Sequence, residues 1–299
     1  MTPPTPSRET SAGRAYNDLR NLARKDGRDP AEYFTFYALE GFLVRLAASR
    51  FASDFVLKGG VLMAAFADRR PTRDIDFAAR GFSSDIVEVE ERIRSVLTVP
   101  ADDGLAFELD SVHGESIRDE ADYNGVRVRI GARLATARIA LHVDVNFGDP
   151  VWPGPTEAAL PLILGGELPL LGYPDHMVLA EKIVTAVERG EQNTRWRDFT
   201  DIAGIARSRR IDGVALQEAI AVVATYRHVV LQPLAPLLEE MSDQAQRKWE
   251  VWRRKQRLEE SAPLSFRELL ESCLAFAEPA LTTAVAGQTW NPSTYAWED

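Results

Sequence analysis

The sequence predicts an α/β (α+β) fold, in which a mixed β-sheet with flanking helices is followed by an all-α C-terminal domain. Between residues 55 and 147, apolar runs with the two-residue period of strands alternate with segments of helical periodicity. From Pro174 onward, the apolar residues recur at helical spacing. The length of 299 residues allows about two domains with ample cores.

The N-terminal segment predicts a tail followed by two helices. Residues 1–13 are rich in Pro, Ser and Thr, and we expect them to be disordered. A short helix is expected over 16–25. A longer helix is expected over 29–53, because Asp29 is a favoured N-cap residue and Pro30 suits the first helical position.

The central segment predicts one more helix and three strands. The helix is expected over 83–97, and the strand-like runs follow at 105–112, 123–134 and 138–147. The turn at Ala135-Thr136 predicts a hairpin of the last two runs. Strands with helices before and between them favour a mixed sheet over a purely parallel one.

A proline-rich segment separates the two predicted domains. Residues 148–172 contain five prolines and several glycines, which predicts a connector. We place the domain boundary near its end, so that residues 14–172 form one domain and 173–299 the other. The helices of the second domain are expected at 174–189, 195–208, 213–226, 234–258 and 264–286.

The composition argues against several classes of protein, including disulfide-bonded, zinc-binding, membrane-spanning and secreted proteins. The single cysteine excludes an intrachain disulfide and a cysteine zinc cluster, and the four histidines lack zinc-type spacing. No apolar run reaches the length of a membrane span, and the N-terminus lacks the apolar core of a secretion signal, so we expect a cytoplasmic protein. The net charge of −10 argues against indiscriminate nucleic-acid binding but allows a local basic surface.

We expect the main candidate site residues between residues 55 and 80. This stretch reads as strand, glycine turn, helix, basic turn and strand. The two-residue period of the second strand puts Asp74 and Asp76 on one face. Neighbouring carboxylates repel each other, and a divalent cation such as Mg²⁺, which takes oxygen ligands, is the usual reason for such a pair.

The glycine turn is suited to binding the phosphates of a nucleotide that is held by such a cation. Gly59 and Gly60 would let backbone N–H groups and the following helix N-terminus approach phosphate oxygens. Positive charge near a triphosphate would come from Lys58, Arg73 and the Arg69-Arg70 pair. A glycine pair alone is more often an ordinary turn, and an Asp-x-Asp strand is commonly a solvated edge; together, at this spacing, the two motifs are specific.

The motifs GG-x-L and R-x-T-x-D-I-D-F, which begin at Gly59 and Arg70, resemble the signature of polymerase-β-type nucleotidyltransferases. Within that superfamily, the chain is most similar to AbiEii-like toxins of abortive-infection and mycobacterial toxin–antitoxin systems. Val61 departs from the family pattern, which usually has a Ser or Thr hydroxyl directly after the glycines. The resemblance implies a polymerase-β-like domain, Mg²⁺ or Mn²⁺ as cofactor and a nucleoside triphosphate as substrate.

The resemblance also implies a third metal-binding carboxylate from a neighbouring strand. In the run from residue 141 to residue 147, the apolar residues alternate with His142, Asp144 and Asn146. Asp144 is our candidate for the third ligand, and Asp149 is the reserve. The alternative for Asp144 is an ordinary polar position on a half-solvated strand.

A second group of candidates lies on the first two C-terminal helices. The spacing from Lys182 to Arg189, followed by Arg197-Asp198-x-x-Asp201, resembles the pattern K-x₆-R…R-D-x-x-D of the AbiEii-like family. The resemblance implies that Lys182, together with Arg189, contacts nucleotide phosphates and that Asp198 orients basic groups. The alternative is an exposed lysine with ordinary salt bridges.

A basic segment near residue 250 is a candidate RNA-binding surface. Its cations include Arg247, Lys248, Arg253 and Arg254, and Trp249 and Trp252 are interleaved with them. Cations with interleaved aromatic rings suit an RNA backbone and unstacked bases. Alternatively, the tryptophans pack inward and leave a solvated basic face.

The resemblance implies a toxin that adds nucleotides to the 3′ acceptor end of tRNA, which blocks aminoacylation, and a cognate antitoxin protein; we expect a monomer. Two alternatives remain open from the sequence. The acceptor could be a small molecule or a protein, or the chain could be a non-catalytic nucleotide or RNA binder. Only Val61 favours the non-catalytic alternative, whereas the clustered carboxylates have no role in a purely structural scaffold.

Overall fold

The computed structural model describes residues 6–66, 72–118 and 124–299. Their Cα positions divide into two compact units. The N-terminal unit takes in the described residues of Met1–Ala65, Pro71–Asp149 and Thr156–Gly172, and the C-terminal unit those of Phe66–Arg70, Pro150–Pro155 and Tyr173–Asp299.

Within the described residues, four helices belong mainly to the N-terminal unit: α1 (Ser11–Lys25), α2 (Pro30–Ala47), α3 (Gly59–Phe66) and α4 (Ile86–Leu97). The side chain of Asp29 caps α2, as the sequence predicts, and the side chain of Asp85 caps α4. Helix α2 ends at Ala47, short of the predicted residue 53.

The predicted disordered tail requires a correction. Helix α1 begins at Ser11 because the side chain of Thr10 accepts a hydrogen bond from the backbone of Gly13. The amide of Asn17 also donates to the carbonyl of Pro6, at 2.9 Å. Residues 11–13 therefore belong to α1, Pro6 is hydrogen-bonded to it, and residues 1–5 lie outside the described residues.

A seven-stranded sheet forms the centre of the N-terminal unit. Its strands are β1 (Phe55–Lys58), β2 (Asp74–Ala79), β3 (Leu105–Arg118), β4 (Asn124–Leu134), β5 (Ala137–Asn146), β6 (Thr156–Pro161) and β7 (Glu167–Gly172). The strand order is β3-β4-β5-β2-β1-β7-β6. Strands β2 and β5 are parallel, as are β1 and β7, and the other pairs are antiparallel. This arrangement confirms the predicted mixed sheet.

The hairpin predicted at Ala135-Thr136 is confirmed, since Leu134 pairs with Ala137 across the turn. The predicted connector at 148–172 is wrong for its second half, where β6 and β7 form another hairpin. Within β6, Ala158 and Leu160 are buried at alternate positions, as in a half-buried strand. This alternation outweighs the proline content of the segment.

One face of the sheet is packed against α2. The alternate residues Leu141, Val143 and Val145 of β5 are fully buried, as the sequence predicts. Phe77 of β2 contacts Phe42 of α2, with ring centroids 6.3 Å apart. Burying this apolar face leaves the acidic residues of β2 and β5 on the opposite face.

The C-terminal unit is mainly helical. Its helices are α5 (Asp175–Arg189), α6 (Trp196–Ser208), α7 (Gly213–Arg227), α8 (Leu234–Leu237), α9 (Met241–Gln256) and α10 (Phe266–Leu281). The helix predicted over 234–258 is thus two helices, and the last predicted helix ends at Leu281 rather than 286. Among the described residues, no helix combines the length and apolar character needed to cross a bilayer.

The all-α prediction for this unit needs a correction. A small antiparallel sheet contains β8 (Ile211–Asp212), β9 (Thr289–Asn291) and β10 (Ala296–Glu298), in the order β10-β9-β8. Trp290 is fully buried, and its indole N–H donates to the carbonyl of Ala206 at 2.7 Å. Strands of two or three residues are too short to show alternation, so packing around Trp290 rather than local pattern determines them.

A buried ion pair between α2 and the segment before β3 gives a stability prediction. Arg45 is buried and donates to both carboxylate oxygens of Asp103, at 2.5 and 3.1 Å. Asp103→Ala would leave the guanidinium buried without its partner, and we expect it to cost about 3–5 kcal/mol in the free energy of unfolding. Urea denaturation measures this cost. Asp102→Ala, at an exposed neighbour, should cost less than about 1 kcal/mol; equal losses would contradict the assignment.

Candidate functional site

Three carboxylates converge at adjacent strands of the large sheet. Asp74 and Asp76 lie on the same face of β2, and Asp76 is directly opposite Asp144 of the parallel strand β5. One carboxylate oxygen from each of the three residues lies within 4.8 Å of the other two. The structure therefore brings together the three residues predicted as metal ligands, whose role remains a prediction.

The chemistry of this acidic triad fits a divalent cation. At an effective dielectric constant of about 20, two carboxylates about 5 Å apart repel each other by roughly 3 kcal/mol. Ionised carboxylates only accept hydrogen bonds, so the three cannot satisfy one another. Mg²⁺ and Mn²⁺ prefer oxygen ligands of this type, and Asp74, Asp76 and Asp144 are the residues that would hold such an ion.

Gly59 makes the space that Asp76 occupies. Its φ of +67° lies in the left-handed region, where residues with a Cβ are strained. A Cβ built on Gly59 would lie 2.0 Å from Oδ2 of Asp76, far inside van der Waals contact. Both the backbone conformation and the approach of the carboxylate thus require glycine. The sequence suggested a phosphate-binding role for Gly59, and this steric role beside Asp76 is an additional finding.

The glycines also open α3, which starts at Gly59. Its first backbone N–H groups therefore lie next to the triad, because Gly59 is against Asp76. Gly60 is buried within this first turn. Val61, the departure from the family pattern, is also buried, so its side chain contributes to the core of the unit.

Arg127, which the sequence analysis did not single out, is hydrogen-bonded to Asp144 of the triad. It lies on β4 opposite Asp144 in the β4–β5 hairpin. Its Nε donates to Oδ1 of Asp144 at 2.8 Å, and its Nη2 donates to Oδ2 at 2.6 Å. The hydrogen bonds to Asp144 raise the pKa of Arg127 above its ordinary value, and the charges of Asp144 and Asp74 act in the same direction.

The remaining candidates near the triad have different surroundings. Lys58, on β1 opposite Asp76, forms a largely buried ion pair with Asp149, the reserve candidate for the third ligand. Arg73 is exposed, directly before β2. The hydroxyl of Thr72 donates to the carboxylate of Asp74. The nucleotide-binding roles of Lys58 and Arg73 stay predictions, and Arg69 and Arg70 lie outside the described residues.

A second charged cluster lies inside the C-terminal unit. Lys182 of α5 is buried, and its Nζ donates to Asp198 at 2.9 Å and to Asp201 at 2.8 Å. Asp198 and Asp201 are one turn apart on α6, so both carboxylates face the same ammonium. The alternative of an exposed lysine is therefore wrong. The nucleotide contact of Lys182 stays a prediction, as does that of Arg189, which is exposed at the end of α5.

The candidate RNA-binding segment forms α9. Trp249 is fully buried, and its indole N–H donates to the carbonyls of Pro263 and Leu264, so this ring serves the core. Arg253 is also structural, since it donates to the carbonyls of Ala262 and Glu259. Four exposed cations form one stripe along the helix together with the exposed Val251, and no carboxylate of the described chain pairs with them. These cations are Arg247, Lys248, Arg254 and Lys255.

A mixed sheet that carries an acidic triad beside a glycine-opened helix defines the chain as a nucleotidyltransferase-type α/β protein. The family model described as the nucleotidyl transferase AbiEii toxin of type IV toxin–antitoxin systems matches residues 41–275, which is most of the chain. The chain belongs to this family, which confirms the resemblance drawn from the sequence. Membership implies nucleotidyl transfer and an antitoxin partner.

The chain is also similar to solved structures, two of which are from Helicobacter pylori. One is a candidate nucleotidyltransferase, with 14% sequence identity and a TM-score of 0.45 over 82% of this chain and 92% of that chain. The other is JHP933, with 13% identity and a TM-score of 0.45 over 84% and 92%. An antigenic nucleotidyltransferase-like protein from Paracoccidioides brasiliensis shares 15% identity, with a TM-score of 0.37 over 62% and 87%. Curated proteins gave no match.

The close approach of Asp76 to Gly59 predicts that a side chain at residue 59 weakens metal binding by steric displacement, beyond any effect of backbone strain on stability. Gly59→Ala should displace the Asp76 carboxylate and weaken Mn²⁺ binding by at least about tenfold, as for a disturbed metal ligand shell. Titration of the metal-free protein with MnCl₂ by calorimetry measures this change.

Gly81→Ala is the matched control. Gly81 also has a positive φ, +74°, but a Cβ there would meet nothing within 4 Å. It should cost about 1–2 kcal/mol in stability through backbone strain alone and leave the Mn²⁺ affinity unchanged. If both variants bind Mn²⁺ like the wild type, the steric role of Gly59 is refuted.

Proposed function

We propose that this AbiEii-family protein is a Mg²⁺-dependent toxin that transfers nucleotides from a nucleoside triphosphate to the 3′ acceptor end of tRNA in the cytoplasm. The observation that supports this proposal most strongly is the convergence of Asp74, Asp76 and Asp144 beside the N-terminus of α3. Family membership supports the class of reaction and the toxin role.

The reaction joins an acceptor hydroxyl to the α-phosphate and releases pyrophosphate. A divalent cation held by the triad would supply charge neutralisation and activation of the hydroxyl. The side chains of Asp74 and Asp76 keep their positions because Thr72 and the missing Cβ of Gly59 accommodate them. The N–H groups at the start of α3 are the donors for phosphate oxygens, and Lys182, Lys58 and Arg73 are the proposed cationic contacts.

Nucleotidylation of a small molecule or of a protein is the alternative acceptor chemistry, and a non-catalytic binder is the alternative class. Induced expression distinguishes a toxin from an enzyme that modifies a small molecule, because only a toxin arrests growth in a manner relieved by Asp76→Asn. Nucleotide binding that persists without Mg²⁺, with no transfer to any acceptor, would support the binder.

The acceptor and the catalytic role of the triad are tested together. Purified protein is incubated with total RNA, each NTP and MgCl₂, and the RNA 3′ ends are sequenced. We expect added nucleotides on tRNA ends, and a loss of at least about 10²-fold in rate for Asp76→Asn and for Asp144→Asn, since positioning and charge neutralisation provide nearly all of the catalysis.

Asp110→Asn is the control, because Asp110 is an exposed carboxylate on β3 of the same sheet. It should retain wild-type transfer. Transfer by Asp76→Asn at the wild-type rate would refute the triad mechanism, and modified ends on RNAs other than tRNA would refute the acceptor.

We further propose that the exposed cations of α9 contact the RNA backbone. Lys248→Gln/Arg254→Gln removes two unpaired cations of the stripe, and the plot of log K against log salt concentration for tRNA should become shallower by about 2. Filter binding at several salt concentrations measures this slope. The charge-matched control Arg24→Gln/Lys25→Gln, two exposed cations of α1, should leave the slope unchanged; equal effects would refute a specific role of α9.

A further inference from the structure

Arg127 stands out because it occupies both oxygens of one member of the triad. Both of its hydrogen bonds go to Asp144, and the side chain of Asp144 is only 9% exposed whereas that of Arg127 is 35% exposed. Arg127 is therefore the more exposed partner of the pair, and it donates to both carboxylate oxygens of Asp144. A cation that reaches Asp144 must share or replace these hydrogen bonds.

The electrostatic balance of the site explains why an arginine is placed there. The triad carries three negative charges within 4.8 Å, and Arg127 supplies one positive charge to it. The bidentate geometry fits a carboxylate and is stronger than a single hydrogen bond. The same charge repels a divalent cation at Asp144, because like charges at this separation interact strongly in a partly desolvated site.

We propose that Arg127 is a built-in counter-cation of the triad, which holds Asp144 in place in the metal-free protein and lowers the affinity of the site for divalent cations. The site then binds its ion tightly only when a second negative group, such as the triphosphate of the nucleotide, adds its charge. Arg127 is in this sense a positioning residue that acts through Asp144. The inference rests on the metal site of the proposed function but not on its acceptor.

The competing hypothesis is that Arg127 orients Asp144 for metal binding, so that removing Arg127 weakens the binding. Hydrogen-bond donors behind a metal ligand often orient it, and removing them weakens metal binding by about 10–100-fold. The sign of the change in affinity thus decides between the two roles. A merely structural role of Arg127 would change the stability of the protein without changing metal affinity.

The experiment measures Mn²⁺ affinity of the full chain without nucleotide or RNA, by calorimetry and by the electron paramagnetic resonance signal of free Mn²⁺. We expect Arg127→Gln to bind Mn²⁺ on the order of tenfold more tightly than the wild type, because one repelling charge is gone. Arg127→Lys keeps the charge but loses the bidentate geometry, so its affinity should stay close to that of the wild type. The thermal stabilisation by Mn²⁺ should increase accordingly in Arg127→Gln.

Two controls make the result specific. Arg129→Gln removes a cation two residues away on β4, where Arg129 pairs with Glu115 instead, and should leave the affinity unchanged. In an Asp144→Asn background, the gain from Arg127→Gln should be smaller, because the repelling charge is still removed but no Asp144 carboxylate is freed for the cation. Weaker or unchanged Mn²⁺ binding by Arg127→Gln, or no binding by any of these proteins, would overturn the proposal; a failed transfer assay would not affect it.

Discussion

The parallel pairing of β2 with β5 is the constraint on which the site depends. It places Asp76 opposite Asp144 and brings Asp74 alongside, although the three charges repel one another. The pairing persists because the other face of the same two strands is buried: Ile75, Phe77, Val143 and Val145 are inaccessible to solvent. The hydrophobic effect on one face thus offsets electrostatic repulsion on the other, which is how the three carboxylates can stay close together in the folded chain.

Both charged clusters of the chain place carboxylates next to a basic side chain. In the acidic triad, Asp144 accepts two hydrogen bonds from Arg127, and in the C-terminal unit the ammonium of Lys182 donates to Asp198 and Asp201. Burying an excess of one sign costs free energy unless each charge is paired. Pairing with Arg127 and with Lys182 lowers that cost.

Local sequence patterns predicted the acidic strands, the β4–β5 hairpin, the helix caps and the glycine turn, because these depend on neighbouring residues. Strands β6 to β10 were not predicted: two lie in a proline-rich segment, and three are too short for a period. Arg127 was missed although the hairpin turn contains the signal. Counting back from the pair Leu134 and Ala137 puts Arg127 opposite Asp144. The clash at Gly59 was out of reach, since it requires the position of Asp76 in space.

The two-residue turn at Ala135-Thr136 connects the strand that carries Arg127 to the strand that carries Asp144. Arg127 and Asp144 lie seven residues on either side of the pair that closes this turn, in one continuous hairpin. A shift of one residue on either strand would turn the side chains of that strand to the opposite face and bury a bare charge in the apolar layer. A shifted register is therefore penalised at Arg127 and Asp144, so that these charged residues also help to specify the register of the sheet.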